Sequence, residues 1–91
     1  MPRFEGDDDG YLGWLADNPR GYVLNVLRSH ARHDLMLHRA DCFTIQSDSF
    51  RGRGWTAHDY VKVCARARSE LIDWALREVG NRPPHCSKCG P

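Results

Sequence analysis

The chain has no run of about eighteen apolar residues, which excludes a helix that crosses a bilayer. Its opening segment, MPRFEGDDDG, is acidic and has no apolar stretch, so it does not read as a secretory leader. No internal repeat or low-complexity tract occurs, and neither a phosphate-binding Walker loop nor a dinucleotide fingerprint is present. Strong charge of one sign is also lacking. The formal net charge is +1, although residues 1–10 hold four acids against Arg3 and leave 12 basic against 8 acidic side chains in the rest. A field this mildly basic permits nucleic-acid binding without demanding it. The expected location is cytoplasmic, where thiols stay reduced and four cysteines are better read as metal ligands or buried groups than as disulfides.

What is there is a small globular chain. With 41% hydrophobic and 27% charged residues among 91, it is too apolar for disorder and too short to bury a large core. Chains of this size often depend on a staple. Residues 1–8 read as a flexible acidic tip and residues 9–91 as one domain. Tyr11, Leu12 and Leu15 share a face of a short helix, capped by Asp8 or Asp9 and stopped at Asn18-Pro19. GYVLNVLR from Gly21 and LMLH from Leu35 are β-rich segments separated by a polar turn, which predicts an antiparallel hairpin. SDSFRGRG falls in a loop over residues 46–57, and YVKVC from Tyr60 reads as a third strand. Ser69 to Val79 is the clearest helix, with Ser69 as N-cap, an apolar stripe of Leu71, Ile72, Ala75, Leu76 and Val79, and Gly80 as its stop. The expected fold is α+β, a small antiparallel sheet with one long covering helix and a C-terminal zinc knuckle.

The chemistry lies in the cysteines. Cys86 and Cys89 form a C-x2-C pair, whose tight turn directs two sulfurs to one ion. The same spacing serves thiol exchange when it opens a helix, but here it follows Pro83-Pro84 and precedes no helix. His38 and Cys42 supply an H-x3-C pair where the hairpin ends. Together His38, Cys42, Cys86 and Cys89 give a closed set of three sulfurs and one imidazole, which implies structural zinc with no position left for water. Cys64 competes with His38 as the fourth ligand, or is a small buried hydrophobe. His85 is the less favoured ligand because its neighbour Cys86 crowds it. His30 and His33 are a further metal-binding pair in principle, and His58 with Cys64 a nucleophile and base, but no surrounding motif orients either pair.

The segments LMLHRADCFTI and SELIDWALREVGNRPPHCSKCGP resemble small zinc domains related to the N-terminal metal-binding domain of the bacterial methylphosphotriester repair protein Ada. The shared pattern is a strand ending in a ligand pair, a further strand, a helix running into Gly-x-x-Pro, and a Cys-x2-Cys knuckle followed by Pro. It spans residues 35–91 and does not include GYVLN. The resemblance implies a zinc-stapled platform often associated with DNA, in a bacterial defence, repair or regulatory setting. It aligns His38 with the cysteine that accepts a methyl group in the repair domain. An imidazole on zinc has no thiolate to attack with, so no methyl-acceptor activity, and no enzyme, is expected.

Arginine dominates the basic set and favours bidentate phosphate contacts. The candidate nucleic-acid surface is Arg39, Arg51, Arg53, Trp55, Arg66 and Arg68, with the FRGRGW loop at its centre. The expected partner is nucleic acid, DNA before RNA, with no membrane and no nucleotide cofactor. A protein-interaction adaptor or a subunit of a larger assembly is the alternative, favoured by exposure of Tyr22, Val23 and Leu24 or of the first helix.

Overall fold

A computed structural model describes residues 1–27, 29, 35–45, 56 and 60–91. Within them the order is strand β1 (Arg3–Phe4), helix α1 (Asp8–Asp17), strands β2 (Tyr22–Leu27) and β3 (Leu35–Arg39), a 3-10 turn over Phe43–Ile45, strand β4 (Tyr60–Ala65) and helix α2 (Arg68–Glu78). The strands form one antiparallel sheet in the order β1-β4-β2-β3. The architecture is the expected α+β arrangement.

The sheet is covered on both faces, which is why its strands read as nearly continuous hydrophobic runs rather than alternating ones. On one face Leu24, Val26, Leu35, Leu37, Val61, Val63 and Ala65 meet Leu71, Ala75 and Val79 of α2. The helical stripe is narrower than its sequence suggests. Ile72 packs only at the edge of that core, and Leu76 stands 49% exposed. On the other face Val23 and Cys64 pack with Tyr11 and Leu15 of α1 and with Ala40, Cys42, Ile45 and Cys86. This second core includes Cys42 and Cys86, with Cys89 packed against it. Val23 and Leu24 are fully buried and Tyr22 is half-buried, so these residues offer no open apolar patch for an adaptor.

Three local expectations shift. The cap of α1 is Asp7, not Asp8 or Asp9, and its carboxylate accepts the Gly10 N–H at 2.9 Å. Asp8 is instead turned to Thr56, taking both its N–H (2.8 Å) and its hydroxyl (2.7 Å), which ties the start of α1 to the segment before β4. Helix α2 begins one residue earlier than expected, after Ala67, whose side chain makes no capping bond; Ser69 lies inside the first turn. Residues 3–4, assigned by sequence to the tip, pair with Val63 and Lys62 at the edge of the sheet.

Gly21 closes the approach to β2 by necessity. A Cβ there would lie 2.7 Å from the Trp14 ring and 3.1 Å from the Ala65 carbonyl. Gly80, at φ 84°, terminates α2 in the left-handed region open to glycine. Among the described residues no helix is long and apolar enough to cross a membrane.

Candidate metal centre

His38 sits one residue before the end of β3, opposite Val23 of β2. Its imidazole therefore lies on the α1 face of the sheet, since strand residues alternate sides. After Arg39 the chain turns. Ala40 donates its N–H to Gly21 and Cys42 donates to Arg39, so the backbone doubles back and carries the Cys42 sulfur beneath His38. The far pair arrives by a different device. Pro83 and Pro84 hold the chain extended past α2, and it then runs parallel to β3, with Leu37 N–H bonded to Pro84 O and Cys86 N–H bonded to Leu37 O, each at 2.9 Å. That short ladder fixes Cys86 beside His38. The knuckle turn closes with Gly90 N–H on Cys86 O at 3.0 Å and brings Cys89 back to β3.

The ligand atoms of His38, Cys42, Cys86 and Cys89 all lie within 4.8 Å of one another. The Cys42 and Cys86 sulfurs are 3.9 Å apart. His38, Cys42 and Cys86 are buried, and only Cys89 is partly open. Buried polar atoms normally have partners, yet His38 Nδ1 is buried with none among the described residues. Burial, assisted by the nearby Lys62 ammonium, holds the His38 pKa down at about 4, so the imidazole is neutral at pH 7 and its lone pair is free to bind a cation.

Two of the sulfurs receive backbone N–H donors. Arg39 N–H donates to Cys89 Sγ at 3.3 Å and Lys88 N–H to Cys86 Sγ at 3.4 Å. The Thr44 hydroxyl lies 2.9 Å from Cys42 Sγ and donates to it when that sulfur is a thiolate. Burial raises the Cys86 thiol, but the Lys88 and Cys89 backbone N–H groups and the neighbouring thiols outweigh it and hold its pKa below the ordinary value. Cys89 moves the other way, up to about 11, through burial and the proximity of Cys42 and Cys86, against the Arg39 N–H. Three sulfurs this close cannot all ionise without a cation among them. The donor set therefore fits a thiophilic metal ion.

Cys64 does not belong to this set. It pairs with Val23 from the opposite side to His38, which puts it two strand spacings, about 10 Å, from the histidine backbone. It is fully buried and its thiol is pushed up to about 12 by burial, the Lys62 ammonium opposing, so it is an uncharged core group. His85 is exposed and outside the cluster. His30, His33 and His58 lie outside the described residues.

Of the candidate nucleic-acid residues, Arg39, Arg66 and Arg68 are exposed. Arg66 donates from Nε to Asn18 Oδ1 at 3.0 Å, and Arg68 to the Pro91 carbonyl at 3.2 Å. Arg51, Arg53 and Trp55 lie outside the described residues. Sequence reasoning missed two contributors. Thr44, two residues after Cys42, supports the thiolate, and Arg20 joins Arg39 at the end of the sheet. The first had no signal beyond a hydroxyl residue near a ligand; the second is visible only once β2 and β3 are paired.

Comparison with family models, curated proteins and solved structures returned no match to this chain.

Proposed function

We propose that this chain is a small structural-zinc module that binds nucleic acid and performs no methyl transfer. The observations that carry the metal assignment are the convergence of three sulfurs on the His38 imidazole and a buried His38 Nδ1 with no partner among the described residues. Zinc bonds sulfur at about 2.3 Å, which makes the sulfur–sulfur edge of a tetrahedral site about 3.8 Å. The 3.9 Å between Cys42 and Cys86 agrees with that edge. A Cys3His set is closed, so the ion has a folding role and no seat for an attacking water.

What the site holds together supports a scaffold. One ion joins the end of β3 to the last residues of the described chain, across β4 and α2, and closing so long a loop in a small domain is where a staple stabilises most. The first ligand is an imidazole, so the group that accepts a methyl in the Ada-type domain is missing. The nucleic-acid reading rests on that resemblance and on exposed arginines at the metal end of the sheet. Arg39 lies between two elements of the site, its backbone N–H bonded to the Cys89 sulfur.

Anisotropy titrations of single-stranded and duplex DNA across a salt series test the reading. A nucleic-acid binder loses affinity steeply as salt rises, because phosphate contacts release counterions. Absence of binding to either form at low salt removes nucleic acid as the partner and leaves the zinc scaffold standing.

A further inference from the structure

The end of the sheet next to the metal site carries a groove that the zinc chemistry does not use. Tyr22 of β2 stands opposite Arg39 of β3 and Ala65 of β4 in one row, and Arg66 is the first residue after β4. Arg20 arrives from the approach to β2. Two hollows meet there. One, of about 260 Å³, is lined by Pro19, Arg20, Gly21, Tyr22, Arg39 and Asp41. The other, of about 290 Å³, shares Pro19, Arg20 and Gly21 and adds Asp17, Asn18 and Arg66. Gly21 lines both hollows, and a Cβ there would meet the Trp14 ring and the Ala65 carbonyl.

Resting on the nucleic-acid reading above, we propose that this groove binds single-stranded nucleic acid, with successive phosphates on Arg39, Arg20 and Arg66 and a base against Tyr22. The arginines are exposed, and none of the three has a carboxylate partner among the described residues. Arg66 is held at Nε by Asn18, whose amide is itself anchored on the Trp14 carbonyl, leaving the guanidinium's outer N–H groups for an anion. Tyr22 is half-buried, so its ring is braced by the core while one side lines the groove. Asp41 and Asp17 at the rim limit the local excess of positive charge. A free inorganic anion gains little from such a rim, whereas a nucleotide offers amino and hydroxyl donors to a carboxylate. The arginines line a concavity rather than a projecting helix or ribbon. Duplex DNA is read by elements that enter its grooves, while splayed single strands lie in basic channels with aromatic platforms.

The test uses the zinc-loaded full chain and fluorescein-labelled twelve-nucleotide DNA, single-stranded or as its duplex, titrated at several salt concentrations. Single strand binds more tightly than duplex. R20A and R66A each weaken it about 5-fold to 10-fold and lower the slope of log K against log salt by about 0.7. R77A, on the exposed face of α2, leaves both unchanged, and circular dichroism and zinc content confirm that all variants are folded. In nitrogen-15 spectra of the wild type, the same single strand shifts the Gly21 amide and Arg66 Nε. If wild type binds but the R20A/R66A pair matches it in affinity and slope, the groove assignment is overturned and the nucleic-acid reading stands. If duplex binds more tightly, the single-strand assignment is overturned. If neither probe binds wild type, the nucleic-acid reading falls and takes the groove with it.

Discussion

Leu37 and His85 stand side by side in a parallel bridge, and the backbone bonds around them, Leu37 to Pro84 and Cys86 to Leu37, add the C-terminal segment to the outer edge of β3. Among the described strands β3 lies at the end of the sheet. The bridge is only one pair long, too short to hold a chain end by itself. In the proposed zinc centre, coordination one residue further on at Cys86, and again at Cys89, makes it permanent.

Single substitutions separate the proposed ligands from Cys64. C86S, C89S and H38A lose stoichiometric zinc and several kcal/mol of stability, because in such small modules metal binding is folding free energy. C64A keeps one zinc per chain and costs about 1–2 kcal/mol through the lost packing of a buried side chain. Zinc analysis with urea unfolding of the four variants checks this. Loss of zinc in C64A contradicts the ligand set.

Protons distinguish the imidazole from the thiols. With its pKa down at about 4, folded His38 carries no proton to displace at pH 7. Zinc binding at pH 7 therefore displaces protons from the thiols and none from His38. Calorimetry in buffers of different ionisation enthalpy counts them. A count near four, or a release step centred near pH 6.5, places a protonated histidine in the metal-free site.

Lys62 gives stability a second pH dependence. Its ammonium is buried in β4, bonded to Asn25 Oδ1, and burial lowers its pKa to about 8 from 10.5, with Cys64 and Asp8 opposing the shift. Between pH 8 and 10.5 the unfolded chain keeps the proton that the folded chain has lost, so this group's contribution rises with pH through that window; below pH 8 the burial cost is present in full. Relative to K62M, wild type gains on the order of 1–3 kcal/mol between pH 7.5 and 10. Parallel urea curves at the two pH values read the difference directly, and a constant gap contradicts the burial.

Gly21 tolerates no side chain. G21A pushes a methyl group against the Trp14 ring and the Ala65 carbonyl and costs about 1–3 kcal/mol, with zinc content unchanged. Thermal unfolding of the zinc-loaded variant measures it.

Much of this architecture is legible in the sequence. Strand segments rich in β-branched residues and a clean helical stripe locate β2, β3, β4 and α2, and the two ligand pairs stand out by their spacing. What the chain does not reveal are relationships between elements. Arg3–Phe4 forms a strand only because β4 offers it an edge, and two residues carry no periodicity. Leu76 fits the helical repeat but lies beyond the width of a sheet this narrow. Ser69 has the chemistry of a cap, yet the chain enters α2 extended at Ala67, so the hydroxyl falls inside the turn. His38 and Cys64 compete as fourth ligand in the sequence, and the fold gathers His38, not Cys64, with Cys42, Cys86 and Cys89, the two pairing with Val23 from opposite sides.

X-ray absorption at the zinc edge of the purified, metal-loaded chain probes the centre most directly. The expected first shell is three sulfurs at about 2.3 Å and one nitrogen at about 2.0–2.1 Å, reduced to sulfur alone in H38A samples that retain any metal. A wild-type shell with two sulfurs or fewer, or with four, contradicts a Cys3His centre.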